Sequence, residues 1–163
     1  MASKNSIVFT DMEGTLFTKS PIEVRGKVSP SMWAMIPALL GPEAQRVADE
    51  GCRKWNESEF AGYVEWVDYA ANNYKTHGLM RAQFEEILRS LDYHPGVRET
   101  FAALREKYRT ALISGGFKAQ AEIAQRDLKL DHALAACELY WDDAGNLEHW
   151  NSSRATTKGR SIS

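Results

Sequence analysis

In two short segments of the sequence, polar residues and glycines directly follow an apolar run. The first, Asp11 to Leu16, puts two carboxylates two residues apart at the end of the β-branched run at residues 6–11. Since α/β sheets bind ligands in a crevice at the carboxyl ends of their strands, both carboxylates can face that crevice. Gly14 allows the backbone to turn so that its amides approach an anion. A strand that ends in Asp before a glycine turn is common, so this segment alone leaves a purely structural role open.

The second segment follows another apolar run and consists of Ser114, Gly115, Gly116 and Phe117. If this run is the next parallel strand, the Ser114 hydroxyl and the Gly115 amide reach the same crevice as the two carboxylates. A third piece, Lys158 before a glycine, follows a run of serine and threonine and offers a cation. A lone surface lysine is the alternative for this third piece.

The hydrophobic spacing predicts the elements that position these segments. Apolar runs predict buried strands at residues 6–11, 110–114 and about 133–139, with helices at about 94–108 and 118–128. A glycine-containing turn at residues 142–146 predicts a hairpin, and the Asp142-Asp143 pair is assigned to it as solvated turn residues. Between about residues 29 and 90, helical spacing interrupted by Pro37 and Gly41-Pro42 predicts three or four helices and no strand. The pattern favours an α/β fold with a parallel sheet and a helical insertion after its first strand.

In this order, the aspartate segment, the helical insertion, Ser-Gly-Gly-Phe and the lysine resemble haloacid dehalogenase (HAD) superfamily phosphatases, specifically the phosphoserine-phosphatase-like branch. The resemblance covers nearly the whole chain. It implies a Rossmann-like three-layer α/β core with a parallel sheet, formed by residues 1–17 and 91–163, and a helical cap at residues 18–90. It also implies an enzyme, a magnesium-dependent hydrolase of a small-molecule phosphomonoester that works through an aspartyl-phosphate intermediate.

The resemblance assigns chemical roles to three residues. Asp11 would attack phosphorus, which splits one difficult hydrolysis into two easier steps. Glu13 would protonate the leaving alcohol and then take a proton from the hydrolytic water. The family usually has Asp at this second position, and the glutamate here extends the acid by one methylene. Lys158 would neutralise the mutual repulsion between the phosphate and Asp11.

The resemblance also assigns the ligand contacts. Thr15, Ser114 and the Gly115 amide would hold the phosphoryl oxygens, together with Lys158. The Asp11 carboxylate, the Glu13 backbone carbonyl and waters would bind Mg²⁺, consistent with the preference of this ion for few protein oxygens.

The resemblance has one gap. The family's fourth motif supplies another metal-binding carboxylate after the lysine, whereas this sequence ends at Ser163, five residues past Lys158. We therefore expect a shortened version of the family. Two alternatives follow: a degenerate, non-catalytic HAD-like fragment, or a phosphotransferase that uses the same residues with another acceptor.

Composition narrows the class of protein. A net charge of −2 with interspersed signs gives no basic stripe, so nucleic acid is not an expected partner. No apolar stretch approaches the length of about 20 residues that a spanning helix needs, which predicts no membrane association. The two cysteines, far apart in sequence, are predicted to be free thiols in the cytoplasm. The predicted partner is a small phosphorylated metabolite.

Several other residues are weaker candidates. The four histidines have no metal-ligand spacing and are assigned structural or exposed positions. Phosphoserine phosphatases carry a glutamate that meets the substrate ammonium near the position of Ser20, and Glu23 is the nearest substitute. Four cap aromatics serve either in helix packing or in lining a substrate pocket, with packing favoured for most. They are Trp33, Trp55, Tyr63 and Trp66.

The first strand is expected at an edge of the sheet. In the family, strands downstream of the lysine flank it on one side. Without them, Ile7, Val8 and Phe9 would present an apolar, unpaired edge that carries neither proline nor an inward charge. The sequence therefore predicts self-association through this edge, or low stability of the isolated chain.

Overall fold

A computed structural model describes residues 6–17 and 22–152. Those residues form six strands and six helices. The strands are β1 (Ile7–Thr10), β2 (Ile22–Val24), β3 (Lys27–Ser29), β4 (Arg109–Phe117), β5 (His132–Trp141) and β6 (Leu147–Asn151). The helices are α1 (Met32–Leu40), α2 (Pro42–Asn56), α3 (Tyr63–Thr76), α4 (Arg81–Arg89), α5 (Val97–Lys107) and α6 (Lys118–Leu128).

The main sheet has the order β1-β4-β5-β6. β1, β4 and β5 run parallel, with Thr10 opposite Leu112 and Leu112 opposite Ala133. β6 pairs antiparallel with β5, across a turn in which the Gly145 amide donates to the Asp142 carbonyl at 2.9 Å. The predicted α/β class, the mainly parallel sheet and the hairpin are therefore confirmed, as is the edge position of β1 within the described sheet.

Helices cover one face of this sheet. Leu112 of β4 belongs to a buried cluster with Phe101 of α5 and Ala124 of α6. Side chains alternate between the faces of a strand, so Ile7, Phe9 and Leu134 lie on the opposite face. That face is exposed, because 58% of Phe9 and 55% of Leu134 are accessible. Among the described residues, α5 and α6 thus form one outer layer, and the other outer layer of the predicted three-layer core is not among them.

The segment between β1 and α5 contains the four helices α1 to α4, in agreement with the predicted helical insertion. It is not wholly helical, however, because β2 and β3 form an antiparallel hairpin at its start. Its two-residue turn, Arg25-Gly26, has positive φ at both positions (51° and 71°), as the twist of a tight hairpin requires. The predicted helices without strands, at about residues 29–90, agree with α1 to α4, whereas this hairpin just before them was not predicted.

Pro37 lies inside α1 and does not end a helix as predicted. Proline lacks an N–H, so it cannot bond the carbonyl four residues earlier, which belongs to Trp33. The Tyr74 hydroxyl of α3 donates to that carbonyl at 3.0 Å. The lost helix bond is thus replaced by a contact between helices. The predicted break at Gly41-Pro42 is confirmed, since α1 ends at Leu40 and α2 begins with Pro42.

The insertion packs against the carboxyl ends of the central strands. Its buried core, including Met35, Ile36 and Ile87, is continuous with Phe117 of β4 and Cys137 of β5. Both cysteines are free, as predicted. Among residues 6–17 and 22–152, no helix is long and apolar enough to cross a membrane.

Candidate active site

The segment after β1 forms a tight loop around the carbonyl of Met12. The amides of Thr15, Leu16 and Phe17 approach this oxygen at 3.3, 2.9 and 3.2 Å. Gly14 has φ of 73°, a left-handed conformation that favours glycine. The Met12 side chain is fully buried, whereas its neighbour Asp11 is exposed at the carboxyl end of the strand. The loop therefore leaves the Asp11 carboxylate accessible to a ligand in solution.

Glu13 lies deeper than Asp11, at the start of α1. Burial raises the pKa of its carboxyl above the ordinary value, and the negative charge of Asp11 adds to the increase. A hydrogen bond from the backbone N–H of Met32, the first residue of α1, offsets part of it. Its Oε1 atom is buried with no hydrogen-bond partner among the described residues. This environment favours the protonated form, which is the state that a general acid needs.

The glycine pair of β4 lies at a bulge beside this loop. Ser114 is opposite Ala135 and Phe117 is opposite Cys137, so Gly115 and Gly116 together face one residue of β5. A Cβ atom on Gly116 would lie 2.6 Å from Cε of Met12, so the end of the Met12 side chain would have to shift to admit a side chain there. The Ser114 side chain is buried, and its oxygen accepts the Gly116 N–H at 3.1 Å. Since the oxygen is the acceptor in that bond, its hydrogen can be donated to an anion.

Tyr63, the first residue of α3, joins the insertion to the glycine pair. Its hydroxyl donates to the Gly115 carbonyl at 2.5 Å. Burial raises the pKa of Tyr63, as do the neighbouring charges of Cys137, Glu13 and Asp11. The hydroxyl is therefore protonated at neutral pH and is a donor. In the sequence, Tyr63 is recognisable only as one of the cap aromatics, because no local pattern indicates a contact over 52 residues.

The structure thus brings together Asp11, Glu13, Ser114 and Gly115 at the carboxyl ends of two parallel strands. Thr15 is exposed on the loop, and the role predicted for it stays a prediction. Lys158 and Ser20 lie outside the described residues, so the role predicted for Lys158 stays a prediction. Glu23 is exposed on β2.

The residues at the strand ends offer the oxygen ligands that magnesium takes in proteins. Among the described residues, no three His, Cys, Asp or Glu side chains converge into a metal-ligand group. Mg²⁺ commonly takes one or two carboxylates and retains several waters. The exposed Asp11 carboxylate next to the loop backbone fits that requirement, with one carboxylate and open access for water.

The predicted cap aromatics form a cluster beside the site. Trp66 lies 4.8 Å from Trp33 and 5.5 Å from Tyr63 between ring centroids. Trp55 is 6.1 Å from Tyr63 with edge-to-face geometry and is 45% exposed. Trp33, Tyr63 and Trp66 pack against the core of the insertion, in agreement with a packing role for most of them.

A cavity elsewhere in the molecule has a volume of about 350 Å³ and lies between α5, α6 and the loop before α5. Its lining includes Tyr93, Arg98 and Asp127, which already interact with one another. None of the predicted catalytic residues lines it. The chemical grouping at the strand ends, rather than this cavity, is therefore the better candidate for an active site.

No protein-family model and no curated protein matches the sequence. Solved structures do match. A phosphoserine phosphatase in a phospho-aspartyl intermediate analogue form has a TM-score of 0.70 at 18% identity, over 92% of this chain and 64% of its own. A HAD family hydrolase from Salmonella enterica subsp. enterica serovar Typhi gives 0.68 at 17% identity, over 90% and 45%. Phosphoserine phosphatase from T. onnurineus gives 0.60 at 20% identity, over 91% and 64%.

These likenesses show the fold. The chain has the Rossmann-like α/β fold of HAD-superfamily, phosphoserine-phosphatase-like proteins, as the resemblance in the sequence implied. It spans less than two thirds of the length of each of these three structures.

Proposed function

We propose that this protein hydrolyses a small phosphomonoester with Asp11 as the nucleophile. The observation that carries the proposal is the grouping of an exposed carboxylate, a buried and protonatable carboxyl and a serine–glycine–glycine loop at neighbouring strand ends. Transfer of a phosphoryl group to an enzyme nucleophile requires these groups: an attacking oxygen, an acid for the leaving group and donors for the phosphoryl oxygens.

In the first step, an Asp11 oxygen attacks phosphorus while the bond from phosphorus to the leaving oxygen breaks. Glu13 gives its proton to that oxygen, so the product leaves as an alcohol and Glu13 becomes a carboxylate. In the second step, Glu13 takes a proton from water as the water oxygen attacks the phosphorus of the aspartyl-phosphate. Inorganic phosphate leaves, and Asp11 and protonated Glu13 are restored.

The phosphoryl oxygens would be held by the Ser114 hydroxyl and the Gly115 amide, with Thr15 and Lys158 as further proposed contacts. The Asp11 carboxylate and the Glu13 backbone carbonyl would hold Mg²⁺, which neutralises negative charge on the phosphate when bound. The division into a core (residues 1–17 and 91–163) and a cap (residues 18–90) is part of this proposal. A cytoplasmic location of the protein is also part of this proposal.

The substrate is proposed to be a small phosphorylated metabolite. One of the similar structures is a substrate-bound phosphoserine phosphatase complex, with a TM-score of 0.68 at 18% identity. Phosphoserine itself is not singled out here, because Glu23, the residue considered for its ammonium group, is an exposed side chain of β2.

The proposal is tested by assaying the chain with p-nitrophenyl phosphate and Mg²⁺. We expect slow hydrolysis that Asp11→Asn reduces by a factor of roughly 10³ or more, since covalent catalysis is lost. The variant is nearly isosteric, so its circular dichroism spectrum and melting should match those of the wild type. A folded Asp11→Asn protein with substantial activity would exclude Asp11 as the nucleophile. A wild type without any activity would favour the non-catalytic alternative.

A further inference from the structure

Three tyrosines of α3 donate their hydroxyls to backbone carbonyls, and one of them differs from the others in its target. Tyr69 donates to Val47 in α2 at 3.3 Å, and Tyr74 donates to Trp33 in α1 at 3.0 Å. Both bonds therefore stay within the insertion. Tyr63 donates to Gly115, in the strand that carries the proposed phosphate-binding residues.

The peptide bond between Gly115 and Gly116 is held at both ends. Its carbonyl oxygen accepts the Tyr63 hydroxyl at 2.5 Å. Its N–H donates to the Ser114 side-chain oxygen at 3.1 Å. In a planar trans peptide these two groups point in opposite directions, so the two bonds together fix the orientation of the peptide plane.

This peptide needs such restraint because glycine flanks it on both sides. Glycine has no Cβ atom and reaches backbone conformations that other residues avoid, so a glycine–glycine peptide rotates easily. The strand ladder is also disrupted at this bulge. Rotation of the peptide plane would turn the carbonyl oxygen away from Tyr63 and break the bond to Ser114. An oxygen turned towards a bound phosphate would repel it.

The packing around Tyr63 keeps its hydroxyl in place. The ring lies 5.5 Å from Trp66 and 6.1 Å from Trp55 between centroids. The approach to the glycine is also close, since a Cβ atom on Gly115 would lie 2.7 Å from the Tyr63 oxygen. Tyrosine at position 63 and glycine at position 115 are therefore matched to each other.

We propose that Tyr63 is a positioning residue, which rests on the proposed function: it holds the Gly115–Gly116 peptide in the orientation in which its N–H fixes the Ser114 side chain and its carbonyl oxygen stays turned away from the phosphoryl group. Tyr63 acts through the glycine pair and the Ser114 hydroxyl and does not take part in the chemistry. The same bond ties α3 to the phosphate-binding loop, so loss of the hydroxyl weakens phosphate binding without removing a catalytic group.

The test compares Tyr63→Phe with the matched control Tyr74→Phe, which loses the same hydroxyl-to-carbonyl bond inside the insertion. Inorganic phosphate is titrated into the ¹⁵N-labelled full chain in the presence of Mg²⁺, and the amide signals of Gly115 and Gly116 are followed. We expect Tyr63→Phe to shift these signals in the free protein and to raise the Kd for phosphate roughly three- to tenfold, the loss of one hydrogen bond. Tyr74→Phe should leave both signals unmoved and the Kd within about twofold of the wild type.

The outcomes separate this inference from the proposed hydrolysis. If the wild type binds phosphate at these amides without hydrolysing p-nitrophenyl phosphate, and Tyr63→Phe weakens that binding, the positioning role stands and the hydrolysis fails. If hydrolysis depends on Asp11 but Tyr63→Phe binds phosphate as well as Tyr74→Phe does, the positioning role is overturned. A wild type whose glycine amides do not respond to phosphate overturns it as well.

Discussion

Glu13 connects the chemistry of the site to the stability of the fold. Its carboxyl is buried against the first turn of α1, and one of its oxygens has no hydrogen-bond partner among the described residues. A charge there is costly, because burial disfavours the ionised form and Asp11 adds a like charge nearby. Protonation of Glu13 therefore both prepares it to act as an acid and removes the free-energy cost of a buried negative charge.

The pH dependence of unfolding should show this cost. The folded-state pKa of Glu13 is raised above the ordinary value of 4.5, so between the two values the folded chain binds more protons than the unfolded chain. The free energy of unfolding contributed by Glu13 therefore falls as the pH rises through that window. Above it, Glu13→Gln should be more stable than the wild type, and well below 4.5 the two should be equal.

Urea unfolding of both proteins without Mg²⁺, at several pH values, measures the difference. Glu23→Gln is the control, because the Glu23 side chain is exposed on β2 and its removal should leave the pH dependence of the wild type unchanged. Parallel stability curves for the wild type and Glu13→Gln would contradict the buried position of Glu13.

At the scale of the elements, α2 and α3 are in close contact where Gly51 meets Tyr69. A Cβ atom on Gly51 would lie 2.9 Å from Cε1 of the Tyr69 ring. That ring is held by its hydroxyl bond to Val47 and by Phe60, 5.4 Å away between centroids. The glycine therefore sets the distance between the two helices.

Gly51→Ala should destabilise the protein although alanine is the better helix former. The helix propensity gain is about 0.5–1 kcal/mol, whereas overpacking costs about 1–3 kcal/mol, so we expect a net loss of about 1 kcal/mol in the free energy of unfolding. In a Tyr69→Ala background the clash is absent, and the same substitution should be neutral or stabilising. Denaturant unfolding of the four proteins measures this double-mutant cycle, and additive effects would contradict the close contact.

The sequence predicted the strands of the parallel sheet because each is a continuous apolar run, the pattern of a strand buried on both faces. The burial itself was wrong for β1, whose Phe9 is 58% exposed. It did not predict the β2–β3 hairpin, since these strands are three residues each and carry the charged residues Glu23 and Lys27. The Arg25-Gly26 turn was the available signal. In the site, the order of motifs located Asp11, Glu13 and Ser114, but the burial of Glu13 and the bond from Tyr63 depend on long-range packing that local patterns do not report.

At the scale of the whole molecule, the face of the sheet opposite α5 and α6 is exposed. Phe9 and Leu134 are each more than half accessible, and Ile7 is 39% accessible. Contiguous apolar surface on an edge strand and its neighbours is typical of association sites. The proposed self-association of the chain is thus better assigned to this face together with the β1 edge than to the edge alone.

We expect sedimentation velocity at micromolar concentrations to show self-association of the 163-residue chain. Replacing both Phe9 and Leu134 with glutamate should shift the protein towards monomer. Val28→Glu is the control, because Val28 is 60% exposed on β3, outside the main sheet, and its replacement should leave the association unchanged. A wild type that stays monomeric at every concentration, with protected amides in β1, would contradict this assignment.

The central claim is that phosphorus becomes bonded to Asp11 during turnover. The chain is mixed with p-nitrophenyl phosphate and Mg²⁺ and quenched rapidly in acid, and the peptide that contains Asp11 is analysed by mass spectrometry. We predict one added phosphoryl group on Asp11 in the wild type and a larger fraction in Glu13→Gln, because the second step then lacks its base. Asp11→Asn should carry none. Hydrolysis by the wild type with no phosphoryl group on Asp11 in either the wild type or Glu13→Gln would contradict the account.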